Sequence, residues 1–198
     1  MSSAATIVQA GHPVLRTPAA EVSPETIRTP EFQALIAKMV ETMRAAPGVG
    51  LAAPQINVSS RVIVLEDRPE LQSKLTPEER KERERIPFST RVFVNPKLTP
   101  VGEERAMFFE GCLSVNGYVG LVERSLEVEV SGLDEHGSPT TWRVRGWPAR
   151  ILQHEVDHIN GTLYIDRMVT RSFTTMDQAK ALYAGKPIAE IRKILGLE

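Results

Sequence analysis

The residues best placed to do chemistry lie in "QHEVDH" (153–158). His154 and His158 are four apart, so on an α-helix both imidazoles share one face, about one turn apart. That spacing lets the two rings reach a single metal ion. Glu155, beside the first of them, can address a water on such an ion without itself being a ligand. The competing reading is a helix with two satisfied, partly exposed histidines. The apolar neighbours Ile151, Leu152 and Ile159 weigh against it. They place the helix in the core, where a His–Glu–His cluster without an ion is costly.

A hydrolytic metal site takes three protein ligands and keeps a position open. The extended pattern HExxHxxGxxH fails here: Gly161 fits, but Tyr164 stands at its last position. Asp166 and Glu190 are the downstream acidic candidates. Upstream, the single cysteine of the chain, Cys112, lies in "EGCLSVNGY" (110–118). This glycine-punctuated, partly polar setting is odd for a core residue. Taken alone, Cys112 can be filler, nucleophile or third ligand. A His₂Cys set suits zinc or ferrous iron.

These groups need elements to position them. From Ala149 the apolar spacing is helical, with Gly161 as a stop. A second helix is expected near 30–45, with Thr29 as N-cap, Pro30 at its first position and an apolar face of Leu35, Ile36, Met39, Val40 and Met43. Pro47 and Gly48 end it. "RVIVLE" (61–66) and "RVFVNP" (91–96) read as strands. Between them "TPEERKERER" opens with a capping pattern, Thr76–Pro77–Glu79. Its charge predicts a solvated surface insertion near 66–90. "SLEVEVSGLD" (125–134) and "TTWRVRG" (140–146) read as a hairpin turning at "DEHG". Residues 1–28 form an irregular lead-in. Two helical pieces make a C-terminal extension near 177–198, the last bearing Ile188, Ile191, Ile194 and Leu195. His12 and His136 are expected at the surface, and Trp142 and Trp147 in packing roles.

The chain has 198 residues, 41% of them hydrophobic, which suits one domain over 1–198. A formal net charge of -1 provides no global field for nucleic acid or anionic lipid. A single cysteine excludes an internal disulfide. No apolar run approaches the roughly 18 residues of a membrane helix. "MSSAATIVQAG" lacks the pattern of a signal peptide, and a trimmed transit peptide would leave no trace.

Three separated stretches resemble, in the right order, the motifs of the peptide deformylase family. "GVGLAAPQ" (48–55) resembles GxGLAAxQ, and "EGCLS" (110–114) and "HEVDH" (154–158) resemble the second and third. The likeness runs from near 14 to near 173, and "WPARILQHEVDHINGTLYIDRM" resembles the branch of organelles and some bacteria. It implies an α+β fold, with antiparallel sheets packed around a central helix carrying HExxH. It implies Cys112, His154 and His158 as metal ligands, with Fe²⁺ usual and Zn²⁺, Ni²⁺ or Co²⁺ accepted. A metal-bound water would attack an N-formyl group, with Glu155 as general acid/base. Gln55 and the Leu113 N–H would hold the oxyanion. Gly48 and Gly50 would let the substrate backbone approach, or take positive φ. The partners implied are formyl-methionyl nascent peptides at or near the ribosome, with no nucleic acid bound directly and no membrane, on a monomer or homodimer. The expected place is bacterial cytoplasm, or alternatively a mitochondrial or plastid matrix.

Overall fold

The apolar run at 62–65 does not alternate with polar residues, and the fold shows why: both faces of that strand are covered. The structure, a computed structural model, describes residues 4–73 and 75–197. Residues 1–3 of the lead-in, 74 of the insertion and 198 of the C-terminal extension lie outside them. In chain order come helices α1 (Pro24–Ile27) and α2 (Pro30–Ala45), strands β1 (Gly50–Ala52) and β2 (Val62–Asp67), and helix α3 (Pro77–Glu82). Strands β3 (Phe88–Pro100), β4 (Arg105–Cys112), β5 (Val115–Ser125), β6 (Glu127–Leu133) and β7 (Pro139–Arg145) follow. Helix α4 (Trp147–Ile159), strand β8 (Thr174–Thr175) and helices α5 (Met176–Tyr183) and α6 (Ile188–Ile194) complete it. One antiparallel sheet runs β1-β2-β3-β6-β7; a second runs β4-β5-β8.

Helix α2 lies on one face of the first sheet, where Ile36, Met39 and Met43 pack with Val62, Val64, Val92 and Val94. Helix α4 lies on the other, where Ala149, Leu152 and Ile159 pack with Ile63, Leu65, Phe93 and Val130. Successive strand residues point opposite ways, so β2 feeds both cores and has no polar face. Each wholly buried aliphatic side chain contributes about 1.5–3 kcal/mol. The His154–His158 segment therefore rides on a helix fixed by core packing along its other face.

Helix α2 begins as predicted: Thr29 Oγ1 accepts the Phe32 N–H at 3.2 Å, and Pro30 opens the helix. Its buried face is Phe32, Ile36, Met39, Thr42 and Met43, while Leu35 and Val40 are half-buried at its border. The lead-in is less irregular than expected, holding α1 and a 3₁₀ turn at Pro13–Arg16. His12 Nδ1 accepts the Val14 N–H at 3.3 Å and is half-buried, whereas His136 is exposed. Trp142 packs beside Phe88 and Phe93, with ring centroids 5.2 and 6.5 Å away.

The charged segment departs from expectation in two ways. Glu66 and Asp67 complete β2 and Phe88–Thr90 begin β3, so the intervening stretch is 68–87. Its helix α3 carries the predicted reciprocal Thr76–Glu79 cap and buries no residue. Past the helix, however, the segment docks. Arg85 donates to the wholly buried Asp67 at 2.8 and 2.9 Å. Arg83 and Arg85 each set a guanidinium 5.3 Å from the Trp147 ring centroid. Gly146, at φ 73, lets this backbone sit on the start of α4, since a Cβ there would lie 2.4 Å from Glu84 Cβ. The repulsion expected of a charge run is answered by one buried carboxylate and one indole face.

Candidate metal centre

Three chain segments converge on one point. Helix α4 presents His154 and His158 from successive turns, with ring centroids 5.0 Å apart. Strand β4 ends at Cys112, where the β4–β5 register shifts between Gly111 and Cys112. The break turns the sulfur out of the ladder toward α4. Cys112 Sγ lies 3.2 Å from His158 Nε2. The donor atoms of Cys112, His154 and His158 all lie within 4.8 Å of one another. The third segment is the 3₁₀ turn Ala53–Ile56 after β1. It carries Gln55, whose Nε2 donates to Ser114 Oγ at 3.3 Å and to Cys112 Sγ at 3.6 Å. Gln55 Oε1 accepts the Ala52 N–H, which fixes the amide's orientation.

The other third-ligand candidates are engaged elsewhere. Asp166 accepts the Leu163 N–H at 2.8 Å and pairs with Arg16. Glu190 pairs with Lys186 on α6.

A buried network holds the histidines. His154 Nδ1 meets Glu110 Oε2 at 3.0 Å, which leaves Nε2 for the donor cluster. Glu110 takes two hydrogen bonds from Arg124, at 3.0 and 2.9 Å, and one from Arg150 at 2.6 Å. Burial alone would raise the Glu110 pKa. Hydrogen bonds from His154 and Arg124 outweigh it and hold the carboxyl well below the usual range. Asp157 pairs with Arg124 at 2.5 Å and also with Arg167 at 2.7 Å. Burial favours the neutral form of both histidines. At His154 hydrogen bonds to the Cys112 sulfur and Glu110 override it and raise the pKa, whereas at His158 burial and the neighbouring His154 lower it.

Glu155 is 4% exposed, and its Oε2 has no partner among the described residues. Burial pushes its carboxyl up to about 7, with His154 pulling the other way. Gly50 is shaped to this side chain: an added Cβ would lie 2.3 Å from Glu155 Oε1. Neither Gly48 nor Gly50 has positive φ, so that expectation is corrected. Gly50 is small because the carboxylate needs its space, and a Cβ at Gly48 would press Leu113 Cδ1 at 3.0 Å.

A cleft of about 500 Å³ opens above these groups, lined by Gly48, Gly50, Gln55, Cys112, Leu113, His154 and Glu155. His158 lies deeper, 1% exposed. Among the described residues the Leu113 N–H has no acceptor. Trp147, Arg85 and Arg150 also line the cleft. Trp147 is thus part of the cleft wall as well as a packing residue. Sequence reasoning missed this wall and the role of Glu110. Glu110 stands two positions before Cys112, a spacing that in an unbroken strand would share one side, which is the signal that could have exposed it.

The donor set fits a divalent cation: one sulfur and two imidazole nitrogens converge, and a buried carboxylate oxygen beside them lacks a partner. The comparisons agree. A family model described as "Polypeptide deformylase" matches residues 4–173. "Peptide deformylase 1A, chloroplastic" of Solanum lycopersicum is 50% identical over 91% of this chain, which spans 66% of that protein's length. "Peptide deformylase 1" of Streptomyces coelicolor is 44% identical over 97% of this chain and 86% of its own. The Met-Ala-Ser-bound class I type b peptide deformylase of Acinetobacter baumannii superposes with a TM-score of 0.75 at 36% identity, covering 85% of this chain and all of that one. Motif order, donor geometry and these likenesses converge: the chain belongs to the polypeptide deformylase family.

Proposed function

We propose that the chain hydrolyses the N-formyl group from formyl-methionyl peptides, releasing formate and a free amino terminus. The observation that carries this reading is the Cys112–His154–His158 cluster, beside the unpartnered Glu155 oxygen at the floor of an open cleft. A divalent cation in the cluster would acidify a water and polarise the formyl oxygen. We assign Fe²⁺ as the ion in cells, with Zn²⁺, Ni²⁺ or Co²⁺ able to replace it.

The remaining work belongs to the chain. Glu155 takes a proton from the attacking water and passes it to the leaving nitrogen as the C–N bond breaks. Burial near pKa 7 suits both directions of that transfer, and a cation nearby would draw the value lower. Gln55 Nε2 and the Leu113 N–H donate to the oxygen that gains charge; a well-placed donor of this kind is worth about 3–4 kcal/mol. Gly48 and Gly50 line the path of the peptide backbone. The Met-Ala-Ser ligand of the Acinetobacter relative supports a methionyl peptide as occupant.

We read 1–198 as one catalytic domain whose sheets pack around a central HExxH helix, with the charged insertion and the C-terminal helices added to it. Nascent formyl-methionyl chains near the ribosome are the partners we assign, on a monomer or homodimer. The place is a bacterial cytoplasm or, alternatively, an organellar matrix, since relatives include a chloroplastic and a Streptomyces protein. No helix among the described residues is long and apolar enough to cross a membrane.

The test is formate release from formyl-Met-Ala-Ser by the metal-loaded protein. Stoichiometric formate is expected; intact formyl-peptide after prolonged incubation would refute the activity. Gly50→Ala tests the geometry in the same assay. The new methyl displaces Glu155, so kcat should fall about 100-fold with metal content unchanged. An unaltered kcat would show that the carboxylate does not need that space.

A further inference from the structure

We propose that Arg85 is a specificity-determining residue, whose guanidinium takes a side-chain carboxylate of the peptide beyond its formylated residue. The proposal rests on the formyl-peptide reading of the cleft. Arg85 comes from the charged insertion, remote in sequence from all three motifs, yet it lines the same cleft as Cys112 and Glu155. Its side chain is 10% exposed and held on two sides. Nε and Nη2 both donate to Asp67, and the group lies 5.3 Å from the Trp147 ring centroid. Nη1 has no acceptor among the described residues and is not sealed from solvent. A guanidinium locked in this way offers its remaining N–H donors without losing further rotamer freedom.

The charge around it favours an acid. Arg85 and Arg150 line the cleft with Trp147, 5.3 and 5.9 Å from its ring centroid, and Arg83, outside the cleft lining, is 5.3 Å from the same centroid. Asp67 answers Arg85 and Glu110 answers Arg150, while Arg83 makes no direct ion pair among the described residues and is answered only at longer range by Glu79 and Glu82. Behind them Glu110 and Asp157 serve Arg124, Arg150 and Arg167, again one carboxylate short. A peptide lysine at this wall meets like charge, whereas a glutamate meets an open donor.

The experiment compares kcat/KM of the metal-loaded enzyme on formyl-Met-Glu-Ala against formyl-Met-Lys-Ala, and on formyl-Met-Ala-Glu against formyl-Met-Ala-Lys. At one of the two positions the wild type should prefer glutamate about five-fold, mostly through KM. Arg85→Gln combined with Asp67→Asn, which leaves no unpaired buried carboxylate, should bring that ratio near one. Arg85→Lys should restore part of it. Each ratio is taken on one protein sample, so partial unfolding cancels. Equal rates in the wild type, a preference for lysine, or a ratio unmoved in the double variant would overturn the proposal. If no peptide releases formate, the activity reading itself fails. Calorimetric binding of Met-Ala-Glu, Met-Glu-Ala and their lysine counterparts then decides this one: the same preference sustains it, and equal affinities overturn it.

Discussion

Glu155→Ala is expected to lose about 10²- to 10⁴-fold in kcat while keeping its metal. Two features of the structure separate this carboxylate from the ligands. It stands next to His154 on α4, yet it is not among the three residues whose donor atoms converge. It is buried with one oxygen unpartnered, which is costly unless that oxygen is used. Deleting it removes the proton acceptor and relieves that burial, so the variant should be no less stable than the parent. Metal content by atomic absorption and kcat by formate release measure the two effects separately. Wild-type turnover in the variant would remove Glu155 from the mechanism.

Cys112→Asp carries the second large effect. The carboxylate keeps a negative donor near the histidines but exchanges a soft sulfur for a hard oxygen and sets that donor one bond further from the backbone. Some metal should remain, with affinity weakened by at least roughly tenfold, about 1.4 kcal/mol. Activity should fall further than occupancy, because the Gln55 and Ser114 donors that now meet the sulfur would have to re-form around oxygen. Competition with a chelator of known affinity measures the first change, and turnover per bound metal the second. Unchanged values for both would remove Cys112 from the ligand set.

What could be read from the sequence follows the range of the interactions. Helix α2 was legible through its cap and period, and α4 through its histidine spacing, because both signals are local. The β6–β7 hairpin was legible through its turn. The β4–β5 pair was not assigned, although it presents Cys112, since its ladder joins residues up to 20 positions apart, from Arg105 to Ser125. The carboxylate network was hidden for the same reason: Glu110, Arg124 and Asp157 come from three elements and meet only once those elements pack. Gly50 was singled out, but its contact with Glu155 was not foreseen, since that neighbour lies 105 positions away in the chain. The charge run was assigned to solvent because the buried Asp67 and the Trp147 ring that receive its arginines lie outside it.

The most direct test of the metal-centre account is formate release from formyl-Met-Ala-Ser by protein stripped with a chelator, then titrated with Fe²⁺ or Zn²⁺ under oxygen-free conditions. The 3.2 Å contact between Cys112 Sγ and His158 Nε2 would also serve a thiol nucleophile with a histidine base, and this titration separates the two. The account predicts negligible rate in the stripped protein and recovery that saturates at one equivalent of metal. Full activity in metal-free protein, abolished by alkylating Cys112, would contradict it.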